Sequence, residues 1–275
     1  MFVFRTIILI CSLVVFVCAV KADTKRHWRY YGGMPKSLFE PVKVMKRNGY
    51  DMGFSERWGS CLWVAYSLVP DDLVKKTGRL SNFVQDEDLY NVVPSSMSYS
   101  GTGFDRGHMA PARDMQYDFV VARQSFWMGN IVPQKPILNR CVWKNLEEKI
   151  RSLVKKNSEG ESPVERVYVL TGPIFNTEGK LRYLREKIEY EKKGKVGPIP
   201  VIKPCACWKI YKYGPTAVAV IVNQNGVPRS VSVAELSKMT GLLFFEDLPE
   251  GLRRYYNNLC RMIYPPVSKT SQKGE

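Results

Sequence analysis

The chain has 275 residues, 45% of them apolar and 12% aromatic, which gives it enough material for a sizeable core and excludes a chain too polar to fold. Its 41 lysines and arginines outnumber 26 aspartates and glutamates, for a formal net charge of +15. A field of that sign attracts polyanions such as nucleic acid, acidic glycans or anionic membranes, and charge alone does not choose among them.

In chain order, Arg5 leads into a run of apolar or small residues from Ile7 to Val20. That run falls short of the roughly 20 residues a membrane-crossing helix needs. With Val20 and Ala22 at the positions favoured for cleavage, it reads as a signal peptide over 1–22, cut after Ala22. The expected product is secreted or extracytoplasmic, with no stable membrane association after cleavage. A mitochondrial presequence, leading to the intermembrane space, and an uncleaved anchor are the alternatives. The cut would leave Cys61, Cys141, Cys205, Cys207 and Cys260, an odd number that permits a disulfide or two and one free thiol. Cys61 and Cys141 lie in apolar segments and read as core residues. The Cys205-Ala206-Cys207 pair lacks a second pair or a nearby histidine to complete a zinc site.

Residues 23–46 mix charge, glycine and proline and read as a loosely held arm, with His27 exposed in it beside Trp28. "CLWVAYSLV" (61–69), "VYVLTGPIF" (167–175) and "TAVAVIV" (216–222) read as buried strands. The polar stretch 71–100 is a long connection of the kind that often carries function. Apolar residues at Val142, Leu146, Ile150, Leu153 and Val154 predict a helix from about Asn139 to Lys156. Ser232 to Glu235 forms a capping box for a second helix, which Gly241 stops. Residues 178–195 are dense in lysine and glutamate and read as a hairpin or a solvated helix. No linker splits the chain, which points to one α+β domain on a largely antiparallel sheet.

Chemistry concentrates in "GTGFDRGHMAPARDM" (101–115), which holds one of the only two histidines. His108 titrates near neutrality and suits a general base. Arg106 and Arg113 offer planar forks of donors to anionic oxygens, so base and cations together fit attack on a phosphodiester. The bland alternative is an Asp105–Arg106 ion pair with His108 in a turn. Asn139 and Glu147 lie eight residues apart, a net rotation of about 80° and a rise of about 12 Å on an ideal helix. They face one side but are too far apart to share inner-sphere bonds comfortably. The pattern suits Mg²⁺ touched directly by Asn139, with Glu147 holding its waters, because that ion prefers hard oxygen and keeps much of its hydration. Taken singly, Asn139 also suits an N-cap, and Glu147 an exposed carboxylate paired with Arg151.

Together these segments resemble the DNA/RNA non-specific endonuclease family, the ββα-metal nucleases. The likeness rests on Asp105-Arg106-Gly107-His108 followed by Ala110-Pro111, on "GNIVPQKPILNRCVWKNLE", on "VYVLTGPIF" and on "VAELSKMTGLLFFEDLP", and it spans roughly residues 44–249. It implies an α+β domain with a ββα-metal element, and cleavage of DNA and RNA with little sequence preference. His108 would activate water, Asn139 would ligate one Mg²⁺ (or Mn²⁺ in its place), Glu147 would position its waters, and Arg106 would stabilise phosphate or support the site. Arg47, upstream of "LWVAY", stands where the family carries another phosphate-directed arginine, and Asn130 stands at a supporting position. In the family pattern 5′-phosphate ends result, and homodimers occur. The domain would run from 47 to 264, with a tail at 265–275. The competing reading is a non-catalytic polyanion- or nucleic-acid-binding protein, a degenerate nuclease.

Overall fold

Runs that are apolar at nearly every position make strands that need cover on both faces, and the three expected from sequence are central strands of one sheet. The computed structural model describes residues 29–155, 164–175, 182–184 and 199–259. The expected leader, His27, Cys260, the tail and most of the 178–195 stretch lie outside them. In chain order the strands are β1 (Lys36–Ser37), β2 (Lys43–Lys46), β3 (Asp51–Ser55), β4 (Ser60–Leu68), β5 (Asp105–His108), β6 (Ile131–Gln134), β7 (Val167–Ile174), β8 (Ala206–Tyr213), β9 (Thr216–Asn223), β10 (Pro228–Val231) and β11 (Leu242–Leu243). Seven of them form an antiparallel sheet in the order β10-β9-β8-β7-β4-β3-β2.

The two-residue period of the strands sorts side chains onto two cores. Along β9, Val218, Val220 and Val222 face one core, and Ala217, Ala219 and Ile221 the other. On β8, Cys207 and Tyr211 join the first, and Trp208 and Ile210 the second. In β4, Leu62 is an extra residue, because Phe54 pairs with Cys61 while Gly53 pairs with Trp63. This bulge lets Leu62 and Trp63 both reach the second core.

The first core is covered by the β5–β6 pair, by α1 (Phe119–Ser125) and by the long helix ending in α2 (Lys144–Val154). The second is covered by α3 (Val233–Thr240) and α4 (Glu250–Asn258). The helix expected after Ser232 is present as α3. The Ser232 hydroxyl accepts from the Glu235 amide, and Gly241 ends the helix at φ 68°. The Glu235 carboxylate does not close the box; it pairs with Arg229 at 2.5 Å.

Two expectations need correction. The arm expected over 23–46 is bound to the domain from Arg29 onward: Arg29 and Tyr30 hold Asp51, β1 pairs with β11, and β2 forms the sheet edge against β3. Of the β2 side chains only Met45 is buried, and its lysines guard an edge, so the strand has the composition of a tail. Cys141 is exposed, not core, whereas Cys61 is buried as expected; both are free thiols, as are Cys205 and Cys207.

Candidate active site

The signature Asp-Arg-Gly-His is strand β5, paired antiparallel to β6 with His108 opposite Ile131 and Asp105 opposite Gln134. Strand alternation sets Arg106 and His108 on one face and Asp105 and Gly107 on the other. Gly107 has no room for a side chain: a Cβ there would lie 2.1 Å from Gln134 Oε1. The imidazole of His108 packs against the rings of Phe83 and Phe126, with centroids at 5.4 and 4.8 Å. Beyond it the chain is clamped by Asn130, whose side chain accepts from the Ala110 amide at 2.8 Å and donates to the Ala110 carbonyl at 2.9 Å. Asn130 thus supports the strand carrying His108 from beneath. Asp105 and Arg106 do not pair. Arg106 donates to the Ser96 carbonyl and the Ser100 hydroxyl, while Asp105 takes Arg140 at 2.6 Å.

Helix follows strand through Pro136, which needs no amide partner in a first turn. The Asn139 amide already donates to the Lys135 carbonyl, so Asn139 lies inside the helix and is not its N-cap. From Leu138 to Trp143 the helix is π-helical, then α through Val154. The extra residue per turn shifts the relative facing of Asn139 and Glu147 from the ideal-helix value. Leu138, Trp143, Leu146, Ile150 and Val154 pack on the sheet, and the opposite stripe stays open.

The Asn139 carboxamide donates to Asp105 Oδ2 at 3.0 Å, which leaves its oxygen free to face a cation. Burial pushes the Asp105 carboxyl up, but hydrogen bonds from Arg140 and Asn139 outweigh it and hold the pKa below the usual range. Glu147 has no hydrogen-bond or ion-pair partner among the described residues. Arg151, its expected i,i+4 partner, is held by Asp114 at 2.6 Å in a buried pair. One neutral oxygen and one uncommitted carboxylate on one helix form a donor set that fits a hydrated hard divalent cation.

His108, Arg106, Asn139 and Glu147 all line one cleft of about 880 Å³. Its walls add Lys75, Arg79, Arg113, Arg140, Lys144, Arg151 and Lys155, a strongly basic lining. Arg47 is not brought there. It is buried beneath the Trp127 ring and held by Asp86 at 2.7 Å and by Asp88, so its expected role toward phosphate is withdrawn. Arg79, from the 71–100 connection, lines the cleft instead, and its charge acts on His108. Nothing periodic in that connection marks Arg79 in the sequence.

Burial, and after it Arg79, pushes His108 down to about 3, so the ring is neutral and able to accept a proton at physiological pH. A chain with two histidines allows a direct check. In the metal-free protein the His108 Cε1–H resonance stays at its neutral position from pH 8 to about 4.5, well past the ordinary histidine midpoint. A midpoint near 6.5 would refute this burial effect. The stability sign follows: as pH falls below the unfolded value of about 6.5, the unfolded chain takes up a proton that folded His108 refuses, so stability declines toward pH 3.

A family model described as DNA/RNA non-specific endonuclease matches residues 36–251. The chain belongs to this family. It is 31% identical over 227 residues to nuclease C1 of Cunninghamella echinulata var. echinulata, spanning 74% of this chain and 83% of that one. To the Serratia marcescens nuclease it is 26% identical over 274 residues, covering 91% and 92%. To Bos taurus mitochondrial endonuclease G it is 33% identical over 136 residues, 49% of this chain and 43% of that protein. A chain in the crystal structure of the EndoG/EndoGI complex shares the fold with a TM-score of 0.61 at 22% identity, covering 78% of this chain and 89% of its own. The protein is an endonuclease, a phosphodiesterase with nucleic-acid substrates. Its family is one of metal-dependent nucleases, and a divalent metal goes with it. Among the described residues no helix is long and apolar enough to cross a membrane.

Proposed function

We propose that this nuclease hydrolyses DNA and RNA with little sequence preference, with His108 as general base and Asn139 as the protein ligand of one Mg²⁺ (Mn²⁺ serving in its place). The observation that carries this reading is that His108, Arg106, Asn139 and Glu147 line one basic cleft. His108 takes a proton from the attacking water, whose oxygen bonds to phosphorus as the P–O3′ bond breaks; the departing 3′ oxygen takes a proton from solvent water, leaving 3′-hydroxyl and 5′-phosphate ends. The incoming phosphodiester brings a negative charge beside the imidazole and raises its proton affinity from the low resting value. Glu147 would hold the waters of a bound ion. Arg106, tied to Ser96 and Ser100 through Nε and Nη2, keeps its remaining edge for phosphate. Arg79 supplies a second charge to offset that building on phosphorus. When bound, the ion acts as a Lewis acid on a phosphate oxygen.

Contacts of this kind are made to the backbone and carry no base information, from which low sequence preference follows. The purified protein is expected to nick supercoiled plasmid with Mg²⁺, to stop with EDTA, and to bind less tightly as salt rises, because counterions are released on association. EDTA-resistant nicking would overturn the metal assignment, and salt-independent binding the basic cleft. The leader at 1–22 makes the product an exported one, checked by sequencing the mature N-terminus.

A further inference from the structure

Strand β8 carries a charge on the face that it shares with Cys207 and Tyr211, toward the first core. Lys209 pairs with Thr171 on β7 and Val220 on β9 and is fully buried. Its ammonium lies 4.5 Å from the Trp143 ring centroid and 5.9 Å from that of Tyr66, and it has no hydrogen-bond partner among the described residues. Burying a cation this way works against stability, and an apolar side chain of similar length would be tolerated at least as well. Its effect therefore belongs to what it touches.

Trp143 sits four residues after Asn139 and four before Glu147 on the same helix. Its indole N–H donates to the His108 carbonyl at 3.4 Å. It thus joins the strand of the base to the helix of the metal ligand.

We propose that Lys209 is a positioning residue of the nuclease centre, holding the Trp143 indole against the His108 carbonyl by cation–π contact. The idea rests on the mechanism proposed above, and the experiment separates the two. Full-length Lys209→Met, Lys209→Arg and Trp143→Phe proteins are assayed on plasmid with Mg²⁺, beside wild type and His108→Ala. Lys209→Met is expected to lose about 10- to 100-fold in kcat, the scale of a small misplacement of catalytic groups. KM should stay within about twofold, and Tm should hold or rise. Lys209→Arg keeps a cation over the ring and should recover most of kcat.

The indole N–H resonance missing from Trp143→Phe identifies Trp143, and that signal should move in metal-free Lys209→Met. Wild-type kcat in folded Lys209→Met, or an unmoved Trp143 signal, overturns the proposal. So does a fall in kcat that tracks a fall in Tm without rescue by arginine. Should neither Lys209 variant fold, Trp143→Phe decides: full activity overturns the linkage, and a loss in kcat at unchanged KM supports it. If instead His108→Ala cuts as well as wild type, the assigned base fails, while the resonance still reads the Lys209–Trp143 contact.

Discussion

His108→Ala is expected to lower plasmid cleavage by roughly 10²- to 10⁴-fold, the usual contribution of a general base, while nucleic-acid binding survives. The reasoning is local. The imidazole is neutral at pH 7, because burial against Phe83 and Phe126 and the charge of Arg79 all disfavour its proton. A guanidinium is always charged and offers no base, which removes the arginines that line the cleft from that role. Glu147 and Glu148 also line the cleft as rival carboxylates, and burial raises the proton affinity of Glu147 even with Lys209 opposing. Rates measured with gel-shift affinities on the same preparations separate chemistry from binding. Undiminished cleavage by the alanine variant would remove His108 as base and leave Glu147 to be tested. Lost binding with lost cleavage would make His108 a substrate contact.

Asn139→Ala is expected to reduce cleavage beyond the roughly 10- to 100-fold that removal of a supporting group around a metal costs, and to raise the Mg²⁺ concentration for half-maximal activity. Asp105→Ala should fall within that 10- to 100-fold range, because it frees the carboxamide nitrogen and Arg140 but leaves the ligand oxygen in place. Both substitutions fall on a partly exposed rim, so the thermal transition should change little. A wild-type Mg²⁺ titration in Asn139→Ala would remove the residue as ligand, whatever the rate. The two variants together distinguish the oxygen that touches the ion from the acid that aims it.

Several parts of this arrangement are written locally in the chain. β4, β7 and β9 are apolar on both faces, and α3 is bracketed by its cap and its glycine, so each is readable without neighbours. Others are not. β8 contains Lys209 and Lys212, and a strand with two lysines resembles a solvated segment until Trp143 and the Tyr31 ring are seen to cover them. The spacing of Asn139 and Glu147 was computed on an ideal α-helix, and only the pairing of backbone groups reveals the π-helical turn between Leu138 and Trp143. In the sequence Arg47 is marked only by its place upstream of a strand. Its acids lie 39 and 41 residues away, at Asp86 and Asp88, and their return to Arg47 is a property of the folded chain.

By itself the amino-acid sequence determined the kind of chemistry: a lone interior histidine between arginines, a carboxamide ahead of a carboxylate on one helix, and a charge suited to polyanions. Those signals survive because they depend on short spacings along the backbone, where covalent geometry constrains what meets what. Tertiary structure alone decided which cations face the substrate. It closed Arg47 into a buried ion pair, spent Arg151 on Asp114, delivered Arg79 from a connection without periodicity, and set Lys209 beneath the helix. Charges find partners through space, and the partners here come from strands and loops far apart in the chain, a matching that no local pattern encodes.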